Sequence, residues 1–494
     1  MNILLATTEA VPFVKTGGLG DVAGALPNEL ARRGCQVSVV MPAFRHIYQA
    51  GRIIEGVDCY FDVPVGSKSI RGRVLKSTLP GDLVTVYFID QPTYFDRDHL
   101  YGVGNKDYPD NCERFVFFSR AVLELVRTLK LPVDILHVND WQTGLIPAYL
   151  RTEYADSDAH EHIASVMTIH NIAYQGRFWH WDMLLTGLDW SHFNWRELEF
   201  YGDINLLKAG IVFADAINTV SPTYAKEIQT PKFGCGLEGV LQSRQDRLRG
   251  IINGIDESEW NPTTDPHLAM NYTVGNWRQG KSFCKASLQK ELHLSPRLDV
   301  PLVGMVGRLV QQKGWHLIIP LLESWLQQSD VQWAILGSGD PAYQGPLMEL
   351  ASKYPGKIGV RIEFSNALAH RIEAGSDIFL MPSQFEPCGL NQLYSLKYGA
   401  VPVVHATGGL ADTIVDHTPD TAASGTATGF AFSHYSVEDL AGALQRALDV
   451  YRNDPAGWGR MVETGMLQDW SWTRSAREYQ QLYEDALRWR RGNA

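Results

Sequence analysis

The sequence predicts an α/β protein built from two doubly wound parallel sheets. Three observations carry this expectation. Short runs rich in Val and Ile, continuous rather than alternating in polarity, recur between segments of helical spacing. That is the pattern of parallel strands covered by helices on both faces. The runs fall into two series, separated by a polar, Arg-rich stretch at residues 243–250. The pattern Thr-Gly-Gly-Leu-x-Asp also occurs twice, as Thr16-Gly17-Gly18-Leu19-Gly20-Asp21 and Thr407-Gly408-Gly409-Leu410-Ala411-Asp412. Each copy follows a strand-like run and opens an apolar stretch with helical spacing.

In chain order, residues 3–6 read as the first buried strand. A helix is expected over 22–33, closed by Gly34, because a glycine past the last turn can take the left-handed conformation there. Further strands are expected at 37–41, 84–89, 135–138, 166–169 and 216–220, then at 251–255, 302–306, 334–336, 378–381 and 401–404. Residues 91–111 show no period and many polar and aromatic side chains, so they read as a long loop of the kind that carries function. Residues 472–491 read as one final helix.

Composition excludes several classes. Net charge is −11 and no run of Lys or Arg is long enough to follow a nucleic-acid backbone. No stretch approaches the ~18 apolar residues of a membrane span. The start, Met1 to Glu9, has no basic region and meets an acid after a short apolar run, so it reads as a strand and not as a signal peptide. The six cysteines are scattered with no Cys-x-x-Cys pair, which suits a reducing compartment and indicates neither a zinc site nor a disulfide framework.

A negative chain that binds an anion must gather cations locally. Free N–H groups at a helix start can hold a phosphate, and two glycine turns in matching context suggest two halves serving one anionic ligand. A single copy would be read as a turn that lets a helix pack closely on a strand. Lys15 precedes the first turn, and Arg308 and Lys313 follow the strand 302–306, where doubly wound sheets bind ligands. Glu386 follows the strand 378–381, in Phe385-Glu386-Pro387-Cys388-Gly389-Leu390. There a carboxylate can grip sugar hydroxyls, or simply offset a helix start. Cys388 reads as a small buried filler and not as a nucleophile. His170 and Asp140 stand at the ends of strands 166–169 and 135–138. Trp179, Trp181, Trp190 and Trp195 cluster in sequence with Phe178, Phe193 and Phe200, either as a core or as faces for sugar rings.

These motifs, in this order, resemble the bacterial glycogen synthases, a family shared with plant starch synthases. The resemblance rests on Lys15-Thr16-Gly17-Gly18-Leu19, on the segment 168–176 from Thr168 to Gly176, and on Thr219-Val220-Ser221-Pro222-Thr223-Tyr224. It continues through Asn253-Gly254-Ile255-Asp256, Gly307-Arg308-Leu309, Gln312-Lys313-Gly314, Glu386-Pro387-Cys388-Gly389-Leu390 and the second glycine turn. It implies a GT-B fold: a Rossmann-like domain at 1–246, a second at 247–468 with the active site between them, and a final segment, 469–494, crossing back to the first. It implies transfer of glucose from ADP-glucose to the non-reducing end of an α-1,4-glucan, with retention, no metal, no cofactor and a cytoplasmic location. By resemblance, Lys15, Arg308 and Lys313 hold the diphosphate, and Gly17, Gly18, Thr407, Gly408 and Gly409 add backbone donors. His170 and Asn253 contact the glucose, Glu386 binds its hydroxyls and is needed for activity, and the backbone of Cys388, Gly389 and Leu390 assists. Asp21, Asp140 and Tyr101 match functional positions of less defined role. Phe364 stands where some relatives set a Tyr against adenine.

Tyr394 occupies the place of a second Glu found in the wider superfamily, as it does in the starch and bacterial glycogen synthase branch. Asn139 and Gln142 stand where some relatives carry His. Three competing readings remain at this point: a GT-B transferase using UDP-glucose or another acceptor, a non-catalytic sugar-binding protein, and, more remotely, a nicotinamide oxidoreductase. The last rests on Gly337-Ser338-Gly339-Asp340, which lacks the third glycine of a dinucleotide fingerprint.

Overall fold

The computed structural model describes residues 1–104 and 106–492. The chain divides into two compact units, Met1–Gly254 together with the last helix, Trp472–Gly492, and Ile255–Ser471.

The first unit is built on a nine-stranded sheet. Its centre is Asn2–Ala6, which pairs in parallel with Gln36–Pro42 on one side and Ile135–Asn139 on the other. Beyond Ile135–Asn139 come Ala164–Ile169, Ala216–Thr219 and Leu248–Gly250, all parallel. Beyond Gln36–Pro42 lies Thr85–Asp90, also parallel, followed by an antiparallel hairpin of Lys68–Thr78 and Glu55–Val65. The chain thus winds outward one way from the first strand, then returns and winds outward the other way. The carboxyl ends of Asn2–Ala6 and Ile135–Asn139 flank this reversal, the place where such sheets bind ligands.

The second unit repeats the plan with six parallel strands, in the order Ile358–Ile362, Gln332–Gly337, Leu302–Val306, Ile378–Met381, Val401–His405 and Phe430–Phe432. Its reversal falls between Leu302–Val306 and Ile378–Met381.

Several expectations change. No strand forms at 251–255. The edge strand is Leu248–Gly250, which pairs with Ala216–Thr219, and that partner runs out where Ser221 caps the helix Pro222–Glu227. The division between units accordingly falls after Gly254 and not within 243–250. The first helix starts at Gly18, four residues before the expected Val22, with Gly17 as its N-terminal flank. The loop 91–111 contains a short helix, Pro92–Phe95, and a two-residue pairing of Gly102–Val103 with Lys106–Asp107. The long hairpin 55–78 was not expected, because its strands alternate buried and exposed residues instead of running continuously apolar.

The last helix packs on the first unit. Tyr483 OH bonds His137 Nδ1 at 2.9 Å, His137 Nε2 lies 2.6 Å from Thr168 Oγ1, and Asn218 Nδ2 donates to Tyr479 OH at 3.2 Å. All five side chains are buried. The network ties the helix to three central strands.

Candidate active site

The first unit gathers its candidate residues at the carboxyl ends of its central strands. After Ala6 the chain runs through Thr7 and Thr8 to Glu9, then forms the turn that carries Lys15. That turn lies across the first helix: Val11 N donates to Gly20 O, and a Cβ at Gly24 would stand 2.8 Å from Val11 O. The glycines of the helix therefore let the turn approach. Lys15 Nζ pairs with Asp21 Oδ1 at 2.6 Å across the glycine turn. The N–H groups of Thr16 and Gly17 both donate to the Glu9 carboxylate, at 2.5 and 3.2 Å.

Asp140 follows Ile135–Asn139 in a left-handed conformation, φ 56°. It accepts the backbone N–H of His170 at 2.8 Å. Burial, together with the nearby charge of Glu9, pushes the Asp140 carboxyl up to about 7, against the hydrogen bonds it accepts from backbone. His170 Nε2 lies 2.9 Å from Asn139 Oδ1, an acceptor, so Nε2 carries the proton. Burial lowers the His170 ring to about 3, and the imidazole is neutral at pH 7. Tyr101 OH contacts Thr8 Oγ1 at 2.8 Å and donates to Glu9 at 2.9 Å. The structure thus brings Lys15, Asp21, Tyr101, Asp140 and His170 to one edge of the sheet. Asn253 is buried in the same unit with its Oδ1 unpartnered.

The tryptophans do not form a core. Trp179 is 61% exposed and Trp195 72% exposed. Trp179, Trp181, Trp190 and Phe193 stand edge to face in sequence, with centroids 5.5 to 6.4 Å apart. Phe178 turns inward and meets Trp141, the neighbour of Asp140, at 5.6 Å. Lys208 anchors the segment, its ammonium donating to the carbonyls of Trp195 and Glu199 at 2.6 and 2.5 Å.

In the second unit, Glu386 and Lys313 meet at 2.5 Å. Glu386 is buried, and the same oxygen accepts Ser383 Oγ at 2.9 Å. Lys313 is aimed by the preceding residue, since Gln312 O accepts Gln384 N and Gln312 Nε2 donates to Phe385 O. Gly314 is obligatory here: φ is +81°, and a Cβ would strike Pro382 O at 2.1 Å. Arg308 is exposed beside the end of Leu302–Val306. Cys388 is buried, and the N-terminal flank of the helix Asn391–Tyr398 is Leu390, with Gly389 at φ +72°. Phe364 is 86% exposed at the end of Ile358–Ile362.

The second glycine turn packs against this loop. Gly409 N donates to Glu386 O at 3.1 Å, and Cβ atoms at Gly408 and Gly409 would stand 2.0 Å from Glu386 O and Cys388 O. The Gly409 N–H, expected to serve a ligand, is committed to the protein here. Thr16 and Gly17 show the same pattern in the first turn. Close packing accounts for the glycines of the second turn, whereas a Cβ at Gly17 or Gly18 would meet no atom within 4 Å, so packing does not require glycine in the first.

Sequence reasoning missed three residues: Glu9, Asn139 as the partner of His170, and Ser383. Glu9 carried a usable signal, an acid directly after the first strand and just ahead of a glycine turn.

The family profile described as Starch synthase catalytic domain matches residues 2–243, and that described as Glycosyl transferases group 1 matches 293–459. A glycogen synthase of Rhodopirellula baltica is 50% identical, over 98% of this chain and 97% of its own length. The chain belongs to the glycogen synthase family. Another glycogen synthase, from Syntrophotalea carbinolica, is 47% identical over 99% of both chains. Among solved structures, the catalytic domain of starch synthase IV from Arabidopsis thaliana, bound to ADP and acarbose, matches with a TM-score of 0.90 at 34% identity and 99% coverage of both chains. A sucrose-phosphate synthase from Thermosynechococcus elongatus shares the fold alone, with a TM-score of 0.58 at 18% identity. The fold is of the GT-B type and the protein is a glycosyltransferase of glycogen or starch synthesis, which removes the oxidoreductase and the non-catalytic binder from the readings above. No described helix is long and apolar enough to cross a membrane.

Proposed function

We propose that this member of the glycogen synthase family transfers glucose from ADP-glucose to the non-reducing end of an α-1,4-glucan, with retention of configuration and release of ADP. The observation that carries the reading is the Lys313–Glu386 pair at the strand ends of the second unit, with Arg308 exposed beside the neighbouring strand. Cleaving the bond between the anomeric carbon and the phosphate leaves the electron pair on the departing diphosphate. Arg308, Lys313 and Lys15 are the cations assigned to that charge. The acceptor O4 attacks the anomeric carbon, and its proton passes to the departing phosphate oxygen on the same face.

Glu386 supports this front-face course over a covalent glucosyl intermediate. It is buried, and one of its oxygens is already held by Lys313 and Ser383. It is suited to bind sugar hydroxyls and to hold Lys313 in place. Neutral His170, donating through Nε2 to Asn139, and Asp140, whose carboxyl titrates near neutrality, are assigned to the transferred glucose. Asn253 carries an unspent acceptor suited to the same sugar. Exposed Phe364 offers a face for the adenine, and the exposed tryptophans offer faces for the glucan. No resident cofactor or metal is assigned a part. Six free cysteines suit the bacterial cytoplasm.

The test is incorporation of labelled glucose into glycogen from ADP-glucose and from UDP-glucose at equal concentration. Preference for ADP-glucose is expected. Preference for UDP-glucose would keep the chemistry and overturn the base assignment at Phe364, and no incorporation from either would overturn the proposal.

A further inference from the structure

Glu9 has no part in the chemistry above, yet the residue is 4% exposed and its carboxylate accepts four hydrogen bonds. It accepts Thr16 N at 2.5 Å and Gly17 N at 3.2 Å through Oε2, and Thr16 Oγ1 at 2.6 Å and Tyr101 OH at 2.9 Å through Oε1. One side chain thus joins the end of the first strand, the glycine turn and the loop that carries Tyr101. Burying a carboxylate is tolerable only with such a set of donors, and the set in turn fixes the segments that supply them.

The arrangement selects which backbone groups can meet an anion. The N–H groups of Thr16 and Gly17 are taken, and Gly20 N turns back to Gly17 O at 3.2 Å. Gly18 and Leu19 are the first two helical residues, whose N–H groups have no partner within the helix. The Glu9 charge also stands behind the turn, so an anion is repelled from the Thr16–Gly17 side and admitted at the helix start.

We propose that Glu9 is a positioning residue for the donor: it presets the turn so that the N–H groups of Gly18 and Leu19, with Lys15, meet a nucleoside diphosphate. The inference rests on the donor reading above. A preset turn saves the ordering cost that binding would otherwise carry. Gln is a close replacement. Its oxygen can keep the two backbone N–H groups, and its NH₂ can donate to the hydroxyls of Thr16 and Tyr101, with Tyr101 turning to donate to Thr8.

The experiment compares Glu9→Ala and Glu9→Gln with the parent in the full chain, measuring ADP affinity by calorimetry, KM for ADP-glucose and for a short maltooligosaccharide, kcat, and the thermal midpoint. Glu9→Ala is expected to weaken ADP and to raise the donor KM about tenfold, the equivalent of ~1.4 kcal/mol, with the glucan KM within about twofold. Glu9→Gln is expected to recover most of that loss. It should also move one kinetic pKa downward, because the Asp140 carboxyl is raised first by burial and further by the Glu9 charge, against the backbone N–H groups of His170 and Asn171. Unchanged ADP affinity in Glu9→Ala would overturn the inference. So would equal losses for donor and glucan accompanied by a lowered midpoint in both variants, since that is the mark of a merely structural role. Should the parent bind neither ADP nor UDP, the donor reading itself fails, and that outcome shows in the parent before any variant is made.

Discussion

Glu386 and Lys313 neutralise one another at 2.5 Å, and each is the other's nearest compensation. Lys313→Ala leaves a buried carboxylate held by Ser383 alone and removes a cation from the departing diphosphate. Turnover is expected to fall by ~100-fold or more, the scale of losing one preorganised charge-stabilising group. Glu386→Ala is expected to lose as much, with far-ultraviolet circular dichroism unchanged in both. Near-normal kcat in either would remove the pair from the site. Strand-end position pointed to both residues in the sequence, because in a doubly wound sheet that position alone predicts proximity to ligand. The sequence could not show that they bond each other. The contact depends on how Gly314 lets its turn lie against Pro382, a fact of backbone approach and not of residue type.

Among the elements, the second glycine turn carries the sharpest steric demand. A Cβ at Gly409 would stand 2.0 Å from Cys388 O, so Gly409→Ala must push the Glu386 loop aside. We expect it to lower kcat by at least tenfold while shifting the thermal midpoint by only a few degrees, since the damage falls on one loop. Activity near that of the parent would mean the loop is not held by the turn. The tryptophan segment gives an independent expectation. Trp179→Ala with Trp181→Ala should raise the KM for glycogen about fivefold and leave that for ADP-glucose unchanged, as loss of sugar-stacking faces would. Equal effects on both substrates would place these rings elsewhere in the protein's function. The sequence showed the cluster but not its exposure. Aromatic spacing is the same for a core and for a platform, and only the carbonyls that hold Lys208 reveal that the segment is pinned from beneath. The hairpin 55–78 escaped for a related reason, because half-solvated strands alternate where buried ones run on.

At the scale of the molecule, acid stability follows from buried imidazoles. Burial holds both His137 and His170 at about 3, below the ordinary 6.5. Between those values the unfolded chain takes up protons that the folded chain refuses. The stability that these two rings contribute is therefore full above pH 6.5 and is lost as pH falls toward 3. His137→Gln should flatten the dependence of the thermal midpoint on pH between 6.5 and 4, and an unaltered slope would show that other groups govern acid unfolding. Activity is also expected to survive EDTA, measured by the same glucose incorporation, since cations of the protein are assigned to the diphosphate. A requirement for added divalent metal would contradict that assignment. The two-sheet plan was legible because continuous Val/Ile runs announce parallel strands wherever they stand. The division after Gly254 was not, since pairing at Leu248–Gly250 depends on a partner strand about 30 residues earlier.

The first unit is built from two separated stretches of chain, with the second unit inserted between Gly254 and Trp472. During synthesis the inserted unit is made before Tyr479 and Tyr483, which cover Asn218 and His137 of the unit begun first. The order of completion is therefore the reverse of the order of synthesis. A nascent chain truncated before Trp472 exposes an uncovered sheet face, and in the cell it is such a fragment, not the inserted unit, that would need a chaperone.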